Sequence, residues 1–261
     1  MHVLVTGAAG MLGTDVVTAF LEADHDVTGL SRADLDVTAP AAVAEAVSGH
    51  DLVINAAAWT AVDAAEDHEA EAFAVNATGA HLVALAAASH GARLLQVSTD
   101  YVFGTVGEAG GPANRRPIAE DTPPAPLSAY GRTKAAGEWG VRAACRDAVI
   151  VRTAWLYGAH GPCFPKTIAR LAAERDALSV VDDQYGQPTW TADLAALLVR
   201  LASAAVPPGV YHGTSAGWTS WFEFAGEVVA AAGRDPDMVL SLIHISEPTR
   251  LRRISYAVFC L

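Results

Sequence analysis

Tyr130 and Lys134 stand four residues apart in a stretch, residues 128–144, whose apolar spacing predicts a helix, so both side chains share one face. An ammonium beside a phenol favours the phenolate and lowers a pKa that starts at about 10, which lets a tyrosine exchange protons near neutral pH. The chain has two lysines, Lys134 and Lys166, against 15 arginines. A lysine kept at this position in so arginine-rich a chain suggests that a guanidinium would not serve. The plainer alternative is an exposed helix pair, because Tyr-x-x-x-Lys occurs often by chance. A second feature makes chance less adequate. Gly7, Gly10 and Gly13 are spaced G-x-x-G-x-x-G, with Met11 and Leu12 between the last two. They follow the apolar run His2–Thr6 and open a helical pattern. A turn of this kind lets a pyrophosphate approach the free N–H groups of a helix N-terminus. In a strand–turn–helix the three glycines read as a dinucleotide-binding turn.

The next apolar run, residues 27–30, leads into Ser31 and Arg32, with no acid before Asp34. An acid there would hold a ribose 2′-hydroxyl, whereas an arginine suits a 2′-phosphate. Arg32 therefore favours NADPH, with NADH still admissible; the competing reading is a surface arginine. Asp36 and Val37 follow and can face an adenine. Ser98, Thr99 and Asp100 close a fourth apolar run, where hydroxyls face the ligand crevice of a parallel sheet. Ser98 or Thr99 can bond a substrate carbonyl oxygen there; strand capping is the plainer role for Ser98 and Asp100. The nine histidines show no metal spacing, and no metal is assigned.

Several elements must position these groups. Strands are predicted at His2–Thr6, 27–30, Leu52–Asn55, 94–98 and 148–152, and helices from residue 12, at 41–47, through a long stretch 64–88, and at 128–144. Continuous apolar runs alternating with helices specify an α/β fold with a doubly wound parallel sheet of Rossmann type. Residues 104–126 read as a Gly- and Pro-rich functional loop. Helices near 166–174, 192–202 and 221–232 suggest a smaller substrate-binding lobe. The expected division is 1–153 for the dinucleotide domain and 154–240 for this lobe, partly interleaved with the first.

Composition excludes other classes. At 52% hydrophobic and 18% charged, the 261 residues describe a soluble globular protein rather than a disordered or fibrous one. A net charge of −12 argues against general nucleic-acid binding and repels anionic membrane surfaces. No apolar run approaches the ~20 residues of a membrane span. Cys145, Cys163 and Cys260 form no C-x-x-C pair, and there is no basic leader, so a reducing, cytoplasmic location is expected. Residues 1–240 hold 53 alanines and four isoleucines, whereas residues 241–261 hold one alanine and three isoleucines. This last stretch is either an unusual basic terminus or a native one replaced through a frame or assembly error; the abrupt change favours the second.

The glycine turn, the Ser98-Thr99-Asp100 strand end and the Tyr130/Lys134 helix together resemble the extended short-chain dehydrogenase/reductase superfamily. Residues 55–66, 98–103, 152–158, 182–189, 209–212 and 217–221 narrow this to a resemblance to the dTDP-4-dehydrorhamnose reductases, over about residues 1–235. The resemblance implies NAD(P)H-dependent reduction of the C4 ketone of a dTDP-sugar. It implies Tyr130 as proton donor, Lys134 as the group that lowers the Tyr130 pKa and holds the nicotinamide ribose, and Thr99 at the ketone oxygen. It further implies Gly7, Gly10 and Gly13 at the pyrophosphate, with Ala56, Ala57 and Ala58 beside the cofactor. Trp155 would contact the sugar, with Thr60, Val62, Asp100 and Tyr101 lining the substrate pocket. Some family members bind Mg²⁺ at a dimer interface, partly through C-terminal acids. Those acids are absent here, so Mg²⁺ is unsupported and a homodimer is left open. A non-catalytic, NADP-binding role on the same scaffold, as in the regulatory beta subunit of methionine adenosyltransferase, is the alternative. A dehydratase or epimerase is disfavoured, because no Glu follows Asp100 to make an acid pair.

Overall fold

The computed structural model describes residues 1–104, 117–204 and 206–242. Three apolar strands, β1 (His2–Thr6), β3 (Leu52–Asn55) and β4 (Arg93–Thr99), form the middle of a six-stranded sheet. It is completed by β2 (Asp26–Leu30) on one side and by β5 (Val149–Thr153) and β10 (Gly209–His212) on the other. The order is β10-β5-β4-β3-β1-β2, and every pairing is parallel. Strand alternation divides the core in two. Leu4, Val53, Leu94 and Ile150 face one side, against α2 (Pro40–Val47), α5 (Ala80–His90) and α6 (Ala129–Ala144). Val3, Val5, Ile54, Leu95 and Val151 face the other, against α1 (Met11–Glu22) and α8 (Thr191–Ser203). The chain leaves β1 toward β2 and then returns past β1 to β3. The carboxyl ends of β1 and β3 are thus the switch point where doubly wound sheets bind ligands.

The expected helix over residues 64–88 is interrupted. It comprises α3 (Val62–Asp67) and α4 (Glu69–Phe73), with a break at His68, then a π-helical turn Ala74–Gly79 that runs into α5. His68 leaves the helical region at φ −128° and ψ 40°. The π turn carries Asn76, whose Oδ1 accepts from Trp59 N at 2.9 Å and whose Nδ2 donates to Thr133 Oγ1 at 3.0 Å. Helical widening of this sort is often found at functional sites. The run Glu69–His90 is also long and apolar enough by composition to cross a membrane, contrary to the expectation from uninterrupted apolar runs. Half of it is buried inside the fold, and α5 packs on α2 and α6.

A third core gathers α7 (Phe164–Glu174), β7 (Leu178–Val181), α9 (Trp221–Ala231) and β12 (Val239–Leu242). Short pairs β6 (Leu156–Tyr157) with β9 (Thr189–Trp190), and β8 (Tyr185–Gly186) with β11 (Thr219–Ser220), connect it to the sheet. The compositionally foreign segment begins inside β12, where Ser241 and Leu242 pair with Val180 and Val181. Its remainder, 243–261, including Cys260, lies outside the described residues, as does 105–116 of the expected loop.

One buried ion pair ties α6 to the sheet. Arg152 Nε and Nη2 donate to Glu138 Oε1 and Oε2 at 2.9 and 2.7 Å, and both side chains are 3% exposed. Glu138→Gln leaves a buried guanidinium without its counter-charge and is expected to cost about 3–5 kcal/mol in urea unfolding. A loss under about 1 kcal/mol would show that the pair does not hold the helix.

Candidate active site

The glycine turn follows β1 at the switch point. Gly7 adopts φ +70°, and a Cβ there would stand 2.8 Å from Ala57 N and 2.9 Å from Ala56 O. A Cβ on Gly13 would stand 2.1 Å from Gly7 O. The turn is therefore pressed against both its own helix and the segment after β3, and only bare backbone fits. Gly10 caps α1 with no side-chain hydrogen bond, and the first turn carries no acid. An uncapped, acid-free helix N-terminus behind a cradle that side chains would fill suits a pyrophosphate. Leu12 is buried in the core, so only its backbone can serve a ligand, whereas Met11 is half-buried. Ala56, Ala57 and Ala58 line the same edge, half-buried. A polar ladder holds it in place: Thr6 Oγ1 donates to Asn55 Oδ1 at 2.6 Å, and Asn55 Nδ2 donates to Gln96 Oε1 at 2.7 Å.

At the end of β2, Arg32 is exposed. Ser31 N and Oγ both donate to Asp34 Oδ2, at 2.9 and 2.6 Å. Asp36 accepts from Thr38 N and Oγ1, and Val37 is buried in the core.

The proton-transfer groups converge at the ends of β4 and α6. Ser128 caps α6 by accepting from Gly131 N at 3.1 Å, and Glu66 Oε1 accepts from Ala129 N at 2.8 Å. Gly131 allows the close approach of α6, since a Cβ there would stand 2.2 Å from Tyr101 O. Tyr130 is buried edge-on to Tyr101, with ring centroids 5.4 Å apart. The Thr99 hydroxyl donates to Asp100 Oδ1 at 3.1 Å and accepts from Tyr101 N at 3.2 Å, and it lies close enough to the Tyr130 phenol to lower its pKa. Val62 joins the same cluster, whereas Thr60 is exposed. Trp155 packs instead with the third core, against Trp221.

In the resting site the net effect on Tyr130 runs opposite to the expected lowering: burial pushes the phenol well above its usual range and the Asp100 charge adds to this, opposed by the Thr99 hydroxyl. Lys134 is itself buried, and Nζ donates to Val97 O at 2.8 Å. Burial lowers its pKa to about 8, with Glu138 opposing the shift. Desolvation likewise raises Asp100 to about 6.

Sequence reasoning did not find Glu66, Asn76, Glu138 or Arg152. All four are polar groups that hold the elements bearing Tyr130 and Lys134. The one legible signal was Arg152, a charge inside an otherwise apolar strand.

A model of the family described as RmlD substrate binding domain matches residues 1–261. A dTDP-4-dehydrorhamnose reductase from Streptomyces griseus is 49% identical over 243 residues, covering 90% of this chain and 78% of that protein. A dTDP-4-keto-6-deoxy-D-glucose reductase from Streptomyces niveus is 45% identical, covering 90% and 80%. The crystal structure of a Bacillus anthracis dTDP-4-dehydrorhamnose reductase in complex with NADP superposes with a TM-score of 0.84 at 38% identity, covering 93% of this chain and 84% of that one.

The lowered Lys134 pKa has a consequence for stability. A buried ammonium whose pKa falls from 10.5 to about 8 weakens the fold fully below pH 8, and the penalty fades as pH rises toward 10.5. Lys134→Met should therefore raise the melting temperature at pH 7 by on the order of a few °C. The gain should shrink in melts at higher pH. An unchanged or lower melting temperature at every pH would contradict this electrostatic reading.

Proposed function

The chain belongs to the RmlD substrate binding domain family, and from that membership we propose that it reduces the C4 ketone of dTDP-4-dehydro-L-rhamnose to give dTDP-L-rhamnose. NADPH, held along the glycine turn with Arg32 at its 2′-phosphate, supplies the hydride; NADH is the weaker alternative. The observation that carries this reading is the convergence of Thr99, Asp100 and the buried Tyr130 at the carboxyl end of β4, with Thr99 bonded to Asp100.

In that group Tyr130 holds the proton. Burial keeps its phenol protonated at neutral pH, which is the state a reduction needs. As charge develops on the ketone oxygen, the Tyr130 hydroxyl delivers its proton there. The Thr99 hydroxyl turns from Asp100 to donate to the same oxygen. A donor aimed at a developing oxyanion in a water-poor site contributes several kcal/mol. The cost is a phenolate left in a buried place. Lys134 offsets it: its ammonium lies one helical turn along on the same face of α6 and is retained by Val97 O. Burial makes that ammonium weakly acidic, so it can also return a proton to Tyr130 between turnovers. Trp155, packed on the third core, is the residue that the resemblance sets against the sugar, and Val62 and Tyr101 pack beside Tyr130.

Tyr130→Phe removes the proton donor and little else. It should lower kcat by at least about a hundredfold while NADPH affinity, read by fluorescence titration, stays within about twofold. Activity surviving within a few-fold would overturn the donor role.

A further inference from the structure

Trp155 is the second residue after β5, and its backbone takes φ 44°. A bulky residue holds this left-handed conformation only where its surroundings over-determine it, at about 1–3 kcal/mol. Two contacts do so here. On one side the indole lies flat on Trp221, with centroids 3.5 Å apart and planes 8° from parallel. It is also pressed on Gly186 of β8, where a Cβ would stand 2.2 Å from Trp155 Cε2 and 2.5 Å from Nε1.

Trp221 is itself anchored. It opens α9, whose Ser220 and Glu223 form a capping box. Its N donates to Gln184 O at 3.3 Å, and its ring packs against Phe164 at 4.4 Å. Trp221 is 8% exposed, and its Nε1 has no hydrogen-bond partner among the described residues.

We propose that Gly186 and Trp221 are positioning residues that clamp the Trp155 indole as a rigid wall for the hexose of a nucleotide-sugar substrate. The proposal rests on the reductase reading above. It assigns the missing side chain at 186 a purpose: Gly186 lacks a positive φ, so its need for glycine is the indole and not its own backbone.

Gly186→Ala inserts a methyl group where the indole now lies. Stacked indoles couple their transitions, so the far-UV circular dichroism should lose its tryptophan exciton couplet. The KM for dTDP-4-dehydro-L-rhamnose should rise about tenfold while NADPH affinity stays within about twofold. Trp221→Leu should do the same. Trp221→Phe keeps a flat ring and loses only an unpaired N–H, so it should stay within about threefold of wild type. Should Gly186→Ala fail to fold, judged by lost NADPH binding, the contrast between Trp221→Leu and Trp221→Phe decides. A KM unchanged although the couplet is lost, or a couplet that persists in Gly186→Ala, would overturn the clamp. A wild-type chain that neither binds nor reduces the sugar would overturn the reductase reading and the clamp with it.

Discussion

The site depends on one buried interaction, the bidentate pair between Arg152 on β5 and Glu138 on α6. Ser98 Oγ on β4 donates to the same carboxylate at 2.5 Å, and the Arg152 guanidinium lies 4.8 Å over the Phe103 ring. Arg152 Nη1 also reaches Glu120 O at 3.2 Å. Two strands, a helix and a loop thus meet at two charges. Such a pair adds little net stability, because desolvation consumes most of its Coulombic gain. What it supplies here is geometry. Glu138 lies one turn beyond Lys134, which lies one turn beyond Tyr130. Fixing the Glu138 carboxylate fixes the rotation of α6 about its axis, and so the direction of both catalytic candidates.

The two halves of the site are built by different means. The cofactor edge is backbone: glycines without room for a methyl group, an uncapped helix, and alanines after β3. The chemical edge is side chain: hydroxyls, a carboxyl and an amine, all wholly or partly withdrawn from water. Withdrawal raises Asp100, lowers Lys134 and keeps Tyr130 a phenol. Burial therefore sets the resting protonation, and the reaction must supply the charge that draws the proton away.

Local pattern made much of this legible. Apolar runs marked β1 and β3 to the residue, because strands buried on both faces have no polar interruption. The glycine turn and the Tyr130/Lys134 spacing were legible because their chemistry is local. The break at His68 and the π turn at Asn76 were not, since an Ala-rich run carries no helix stop signal and Asn76 is fixed by Trp59 and Thr133, far away in sequence. Glu138 reads as an ordinary polar position and Arg152 only as a charge inside an apolar strand; their pairing needs the sheet to exist. The Trp155–Trp221 stack is of the same kind. The Lys134 position was legible from its spacing, but the bond that holds its ammonium, to Val97 O on β4, was not.

The central claim is that residues on this scaffold carry out a ketone reduction. Its most direct test is NADPH oxidation by the purified chain, followed by loss of near-UV absorbance with dTDP-4-dehydro-L-rhamnose supplied. The account predicts oxidation that requires the sugar and saturates with it. NADPH that binds but is never consumed in the presence of the sugar would contradict it.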